Sequence, residues 1–151
     1  MDTPLPPAQL AAWRSFITAH ATIIERIDQD LAAAGCIPLH WYDVLVELVE
    51  APEQQLRMSE LARRVVLSRS TLTHLAARLE AMGLLRRERA ANDRRGAYAV
   101  LTDEGRAALR KAWPIYAEGI ANYFARHIST SEAILIHAAL SRMLDPAHGL
   151  Q

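Results

Sequence analysis

MSELARRVVLSRSTLTHLAARLEAMGLLRRERAANDRRGAYAVLT, residues 58–102, decides the fold. Ser59 is positioned to cap a short helix whose apolar side is Leu61, Ala62 and Val65. Ser68 opens a second helix, and Val66 and Leu67 leave so short a connection that the two must cross steeply, as in a helix-turn-helix. In that second helix, Arg69 to Met82, the spacing buries Leu72, Leu75, Ala76 and Leu79. Arg69, Ser70, Thr73, His74, Ala77 and Arg78 are left outward, and Gly83 closes the helix. Leu84–Ala90 and Ala97–Leu101 read as strands joined by the turn-forming Ala91-Asn92-Asp93-Arg94-Arg95-Gly96. Such a hairpin is not stable alone, so it must lie beside the helices as a wing.

The chain is formally neutral, but its charge is divided. From Arg57 to Arg95 there are ten arginines against Glu60, Glu80, Glu88 and Asp93, a local charge of +6 that the remainder balances with −6. One third of the molecule therefore presents a field suited to polyphosphate. The outward side of residues 69–82 is short, polar and basic, which suits an element laid in the major groove. A solvated arginine-rich face is the competing reading of the charge alone.

Outward from this stretch, Leu10, Trp13, Ile17, Ala21, Ile24, Ile27 and Leu31 fall on one stripe of a helix over 8–34. At about 40 Å that helix is longer than one side of so small a domain, so part of its stripe is expected to meet another chain. Gly35 and Pro38 end it, and a second helix follows over 39–50, stopped by Pro52. Thr102 begins a helix running to about His127, with Asp103 and Glu104 in its first turn and a bend expected at Pro114. Ser129 and Glu132 form a capping-box pattern ahead of Ile134, Leu135, Ala138, Met143 and Leu144, a last amphipathic helix.

Composition sets the limits. At 151 residues and 51% hydrophobic, the chain builds one domain with a real core and is not disordered. No stretch approaches the roughly 20 apolar residues that cross a bilayer, and Met1–Pro7 lacks the character of a signal peptide, so no membrane contact and a cytoplasmic location are expected. The single Cys36 excludes an intrachain disulfide framework and a thiolate-rich zinc site.

Several strings together resemble the multiple antibiotic resistance regulator (MarR) family. They are Trp41-Tyr42-Asp43-Val44-Leu45, Met58-Ser59-Glu60-Leu61-Ala62, Ser68-Arg69-Ser70-Thr71-Leu72-Thr73 and Leu79 through Arg87, then Asp93-Arg94-Arg95-Gly96 followed by Leu101-Thr102-Asp103-Glu104-Gly105. The resemblance covers nearly the whole chain. It implies a mainly α fold with a small β-hairpin: a winged helix-turn-helix lobe over 39–101, with 8–34 and 103–145 forming mainly the dimerisation helices of one 1–151 unit. It further implies a homodimer that reads a near-palindromic operator in double-stranded DNA, commonly represses its own or neighbouring genes, and releases DNA on binding a small aromatic or anionic effector. By the same resemblance Arg95 enters the minor groove, Arg94 meets phosphate and Asp93 holds the wing arginines. Ser68, Arg69, Ser70, Thr71, Thr73, His74 and Arg78 fall at positions that contact bases or backbone, and Thr71 equally suits capping or packing.

Phe16, His20, Trp41, Trp113 and Tyr116 are the candidate lining of an effector cleft, against the plainer reading of aromatic side chains as packing. Cys36 and His40 raise the alternative of a redox- or metal-responsive regulator of the same fold, but supporting ligands are missing, and neither a metal nor a cofactor is expected. A winged helix used for protein contact is a further alternative, distinguished by binding that hardly changes with salt. There is no glycine-rich phosphate loop, nucleophile elbow, zinc-protease histidine pair or carboxylate dyad, so the chain is not read as an enzyme.

Overall fold

A computed structural model of the chain describes residues 5–65, 67–89 and 96–145. Its elements run α1 (Pro7–Ala33), α2 (Leu39–Glu50), β1 (Gln55–Arg57), α3 (Met58–Arg64), α4 (Arg69–Ala81), β2 (Leu85–Arg89), β3 (Ala97–Leu101), α5 (Asp103–Tyr123) and α6 (Thr130–Leu144). The fold is mainly helical, and its small sheet is antiparallel in the order β1-β3-β2, so β3 is the central strand. Ala99 is fully buried there, opposite Leu56 on one side and Arg87 on the other.

The core follows the apolar spacing. Leu31 of α1, Leu45 and Leu48 of α2, Leu61 of α3, Leu72 and Leu79 of α4, and Leu85 of β2 are completely or almost completely removed from solvent. Each such burial contributes about 1.5–3 kcal/mol, which joins α3, α4 and β2 to α2 and the second half of α1. α2 is secured at its start, where the Leu39 amide donates to Asp28 Oδ1 of α1 at 2.7 Å. Next to it the Lys111 ammonium of α5 donates to the Gly35 carbonyl at 2.6 Å. Past the end of α2, Glu53 and Gln54 both take positive φ (55°), and Arg106 of α5 bonds the Gln54 side chain.

Four local expectations change. β1 was not foreseen: with only Leu56 buried, it is too short to show an alternating pattern. Because β1 runs straight into α3, Arg57 occupies the N-cap position and Ser59 is inside the helix, without the expected capping bond. α4 ends at Ala81, and Gly83 (φ 74°) reverses the chain after it, its amide bonding the Glu80 carbonyl. α5 continues unbroken through Pro114 but stops at Tyr123, and a separate 3-10 turn covers Ala125–His127. The caps expected at Ser68, Thr102 and the Ser129–Glu132 box are all formed.

The two ends of the chain are incompletely covered. α6 has no buried residue, and Ile134, Leu135, Met143 and Leu144 are 64–82% exposed. In α1 only Ile27 and Leu31 are buried, while Trp13, Phe16 and Ile17 stand open to solvent. An amphipathic helix gains its stability in a protein by packing its apolar face, and here those faces have no cover within the described chain. No helix among the described residues is long and apolar enough to cross a membrane.

Candidate nucleic-acid interface

The exposed face of α4 is organised from its first turn. Ser68 Oγ accepts the Thr71 amide at 3.2 Å and lies 2.8 Å from Thr71 Oγ1 and 3.2 Å from Ser70 Oγ, so these three hydroxyls form one capping group. Thr73 Oγ1 donates its proton to the Arg69 carbonyl at 2.7 Å. With the proton so used, Thr73 offers outward only acceptor lone pairs. Arg69, Ser70, Thr71, Thr73, His74 and Arg78 are all exposed, opposite the buried Leu72, Leu75, Ala76 and Leu79. Thr71, which the sequence left between contact and cap, takes part in the cap.

Beside this face lies a groove of about 270 Å³ between α4 and the sheet. Arg57 of β1, Arg69 and Thr73 of α4, Arg87 of β2, and Ser59 line it, so arginines from three elements border one depression. Arg57 lies over the Tyr98 ring, 5.3 Å from its centroid. Arg87 is held by Glu80 from the last turn of α4: Oε2 accepts the Arg87 amide at 2.8 Å, and Oε1 accepts Nε at 3.2 Å and Nη2 at 2.9 Å. The backbone bond, then the guanidinium bond, keeps the Glu80 carboxyl below its ordinary pKa.

The remaining arginines of the basic segment are used differently. Arg63 and Arg64 pair with Glu60, and Arg64 also reaches Glu47 at 3.6 Å. Arg86 pairs with Glu88 at 2.6 Å. Arg78 lies over the Trp41 ring, 5.8 Å from its centroid. The side chain of Arg69 has no hydrogen bond or ion pair with another described residue. Asp93, Arg94 and Arg95, the wing residues singled out in the sequence, lie outside the described residues.

The five candidate effector-cleft residues divide into three groups. Phe16 and His20 are neighbours on exposed α1, with ring centroids 6.4 Å apart. Trp41 is under Arg78, and its buried indole N–H has no partner among the described residues. Trp113 meets Tyr116 edge-on at 6.1 Å, and Tyr116 meets Tyr42 edge-on at 5.1 Å. A cavity of about 310 Å³ opens between α2 and α5, lined by Tyr42, Val46 and Val49 with Arg106, Leu109, Arg110 and Trp113. Of the five, only Trp113 lines it. Trp113 is among the residues the sequence offers for the cleft, and Arg106 and Arg110, seven and three positions before it on the same helical face, complete this wall.

Cys36 is half-buried, and its thiol faces the Lys111 and Ala34 carbonyls at 3.8 and 3.9 Å. Among the described residues no group of three or more His, Cys, Asp or Glu is arranged to hold a metal ion.

A short polar helix after a tight turn, flanked by a basic sheet edge, defines the winged helix-turn-helix class of DNA-binding regulators. The model of the MarR family matches residues 37–96. The chain is 31% identical over 112 residues to the HTH-type transcriptional regulator YkoM of Bacillus subtilis (strain 168), covering 74% of this chain and 71% of that protein. Among solved structures, AbsC, a MarR family transcriptional regulator from Streptomyces coelicolor, is similar with a TM-score of 0.87 at 29% identity, over 95% of this chain and 96% of that one. Sco3205, a MarR family regulator of the same organism solved in complex with DNA, is similar with a TM-score of 0.86 at 31% identity, over 99% and 96% of the two chains. The chain belongs to the MarR family of DNA-binding transcription regulators, a family of regulators and not of enzymes.

Proposed function

We propose that the protein is a homodimeric repressor that reads a near-palindromic operator with α4 in the major groove and the wing against the neighbouring backbone. The observation that carries this reading is the open face of Arg69, Ser70, Thr73, His74 and Arg78 beside the three-arginine groove. Its polar groups are supplied by a helix whose other side is locked into the core, so they meet DNA already oriented. Ser68 and Thr71 set the start of that helix. Arg94 contacts phosphate, Arg95 reaches into the minor groove, and Asp93 steadies the wing. The uncovered apolar faces of α1 and α6, with α5, supply the dimer contact, and the 39–101 lobe does the reading.

Release is by a small aromatic or anionic effector in the cleft between α2 and α5. The cavity there supports this chemistry: Trp113 and Tyr42 offer rings, Val46, Val49 and Leu109 offer an apolar floor, and Arg110 offers a cation to a carboxylate beside Arg106, which Asp103 and Gln54 hold. Tyr116 packs against the lining rings of Tyr42 and Trp113, Trp41, on the same helix as Tyr42, lies under Arg78, and Phe16 and His20 would enter such a cleft from the second chain. The protein regulates its own or neighbouring genes.

The test is selection of bound sequences from a randomised duplex pool, followed by footprinting. The expected result is an inverted repeat whose half-site centres are about one helical turn, roughly 10 to 11 base pairs, apart. A bound pool without two-fold symmetry overturns the dimeric operator reading. Aromatic acids that displace the selected duplex support the effector site, and Arg110→Ala is expected to abolish that displacement.

A further inference from the structure

The contact between Glu80 and Arg87 joins the recognition helix to the wing at one point. Glu80 lies in the last turn of α4, and Arg87 is the middle residue of β2. β2 is an outer strand of the sheet, because β3 alone lies between it and β1. The backbone amide of Arg87 donates to Glu80 Oε2 at 2.8 Å, so a main-chain donor of this edge strand is fixed by a side chain of the helix. The guanidinium of the same residue grips the other carboxylate oxygen through Nε and Nη2, at 3.2 and 2.9 Å. A carboxylate bonded at both oxygens, to backbone and side chain of one residue, has little freedom to rotate.

The chain between these residues turns through Gly83 in the left-handed region, closed by bonds of the Gly83 and Leu84 amides to the Glu80 and Leu79 carbonyls, and these backbone bonds stop short of β2. On the far side of the turn, Thr102 Oγ1 donates to the Gly83 carbonyl at 2.6 Å and holds the end of β3. Glu80 does the same for β2. Both partners are about one third exposed, so the pair adds little to stability, as such surface pairs generally do. Its effect is geometric: it also fixes the side chain of Arg87, a residue that lines the groove with Arg57 and Arg69.

We propose that Glu80 is a positioning residue for DNA recognition, setting the angle of the wing against the recognition helix and the direction of Arg87 without touching DNA. The proposal rests on the DNA-reading function proposed above. It makes a prediction opposite in sign to simple charge. Removing a carboxylate from a surface that meets phosphate ought to tighten binding by relieving repulsion. If Glu80 aims the wing, its removal weakens binding to the cognate sequence instead.

The experiment measures full-length wild type, Glu80→Ala and Glu80→Gln against the duplex selected by the wild type and a scrambled duplex of equal length. Thermal melting and amide hydrogen exchange at Arg87 are followed in parallel. Glu80→Ala is expected to lose about tenfold in affinity for the selected duplex, the scale of one mismatched base pair. Its scrambled-duplex affinity stays level or rises, its melting temperature stays near wild type, and the Arg87 amide exchanges faster. Glu80→Gln keeps an acceptor for the amide and regains most of the loss. The proposal is overturned if Glu80→Ala binds the selected duplex as well as wild type, if both duplexes weaken together, or if Glu80→Gln regains nothing. A wild type that selects no sequence defeats the DNA-reading function itself, and the proposal with it.

Discussion

The guanidinium of Arg78, on the recognition helix, rests 5.8 Å from the ring centroid of Trp41, on α2. The sequence places one of these residues on the DNA face and the other beside the effector cleft. Their contact makes the orientation of Arg78 depend on α2, the helix that also forms one wall of the α2–α5 cavity. A ring under a cation contributes about 0.5–1 kcal/mol at such a partly exposed site.

Trp41→Ala is therefore expected to weaken binding to the selected duplex by several-fold, about the 1 kcal/mol of the lost cation–π contact, with Arg78 still present. Trp41→Phe keeps a ring and discards the buried indole N–H that has no partner among the described residues. It is expected to bind nearly as wild type. Fluorescence anisotropy with labelled duplex checks both, and equal affinity for all three proteins separates Trp41 from DNA reading.

The uncovered face of α6 predicts a chain that does not remain single in solution. Leu135 is 69% exposed in the isolated chain, and Ile134 beside it 64%. Leu135→Glu is expected to shift sedimentation from twice the chain mass toward the 16.8 kDa of one chain, and to remove tight operator binding. A fully dimeric variant assigns the interface elsewhere.

Gly105 is a packing requirement at the start of α5. A Cβ built there would stand 2.1 Å from the Leu84 carbonyl oxygen and 2.7 Å from Leu101 Cδ1. The obstacle includes backbone, so Gly105→Ala is expected to cost about 1–3 kcal/mol, the usual scale of overpacking. Chemical denaturation measures it, and an unchanged midpoint shows that the α4–β2 turn yields freely.

Acid should act on the cap of α6. The Ser129 amide and hydroxyl both donate to Glu132 Oε2, at 2.8 and 2.7 Å, and hold its carboxyl below the ordinary value. A folded-state pKa below the unfolded one gives stability that is complete above the unfolded value and lost as pH falls through the lowered folded value. Glu132→Gln is expected to narrow the difference in melting temperature between neutral and acid solution. An identical pH profile for both proteins shows that the capping box carries no pH-dependent stability.

Much of this was legible because the signals are local. Leu72, Leu75, Ala76 and Leu79 declare the inner face of α4 by spacing, and Ser68, Gly83, Thr102 and the Ser129–Glu132 pair mark helix ends through short-range bonds that sequence order determines. β1 escaped because three residues carry no periodicity, and its existence depends on pairing with β3 more than forty residues away. Ser59 was misread as a cap for the same reason, since the strand before it fixes where α3 begins. The Glu80–Arg87 and Arg78–Trp41 contacts are tertiary, and residue types alone gave no reason to join them. The cavity wall of Arg106, Arg110 and Trp113 was readable by helical spacing, but its partners on α2 were not.

Binding across a salt series, to labelled DNA from upstream of the protein's own gene and to a scrambled fragment of equal length, tests the central claim of sequence-specific DNA reading most directly. The account predicts tight binding to the upstream fragment alone, weakened by about a thousandfold or more between roughly 50 and 200 mM salt as phosphate contacts are screened. Equal binding to both fragments, or binding that salt leaves unchanged, would contradict it.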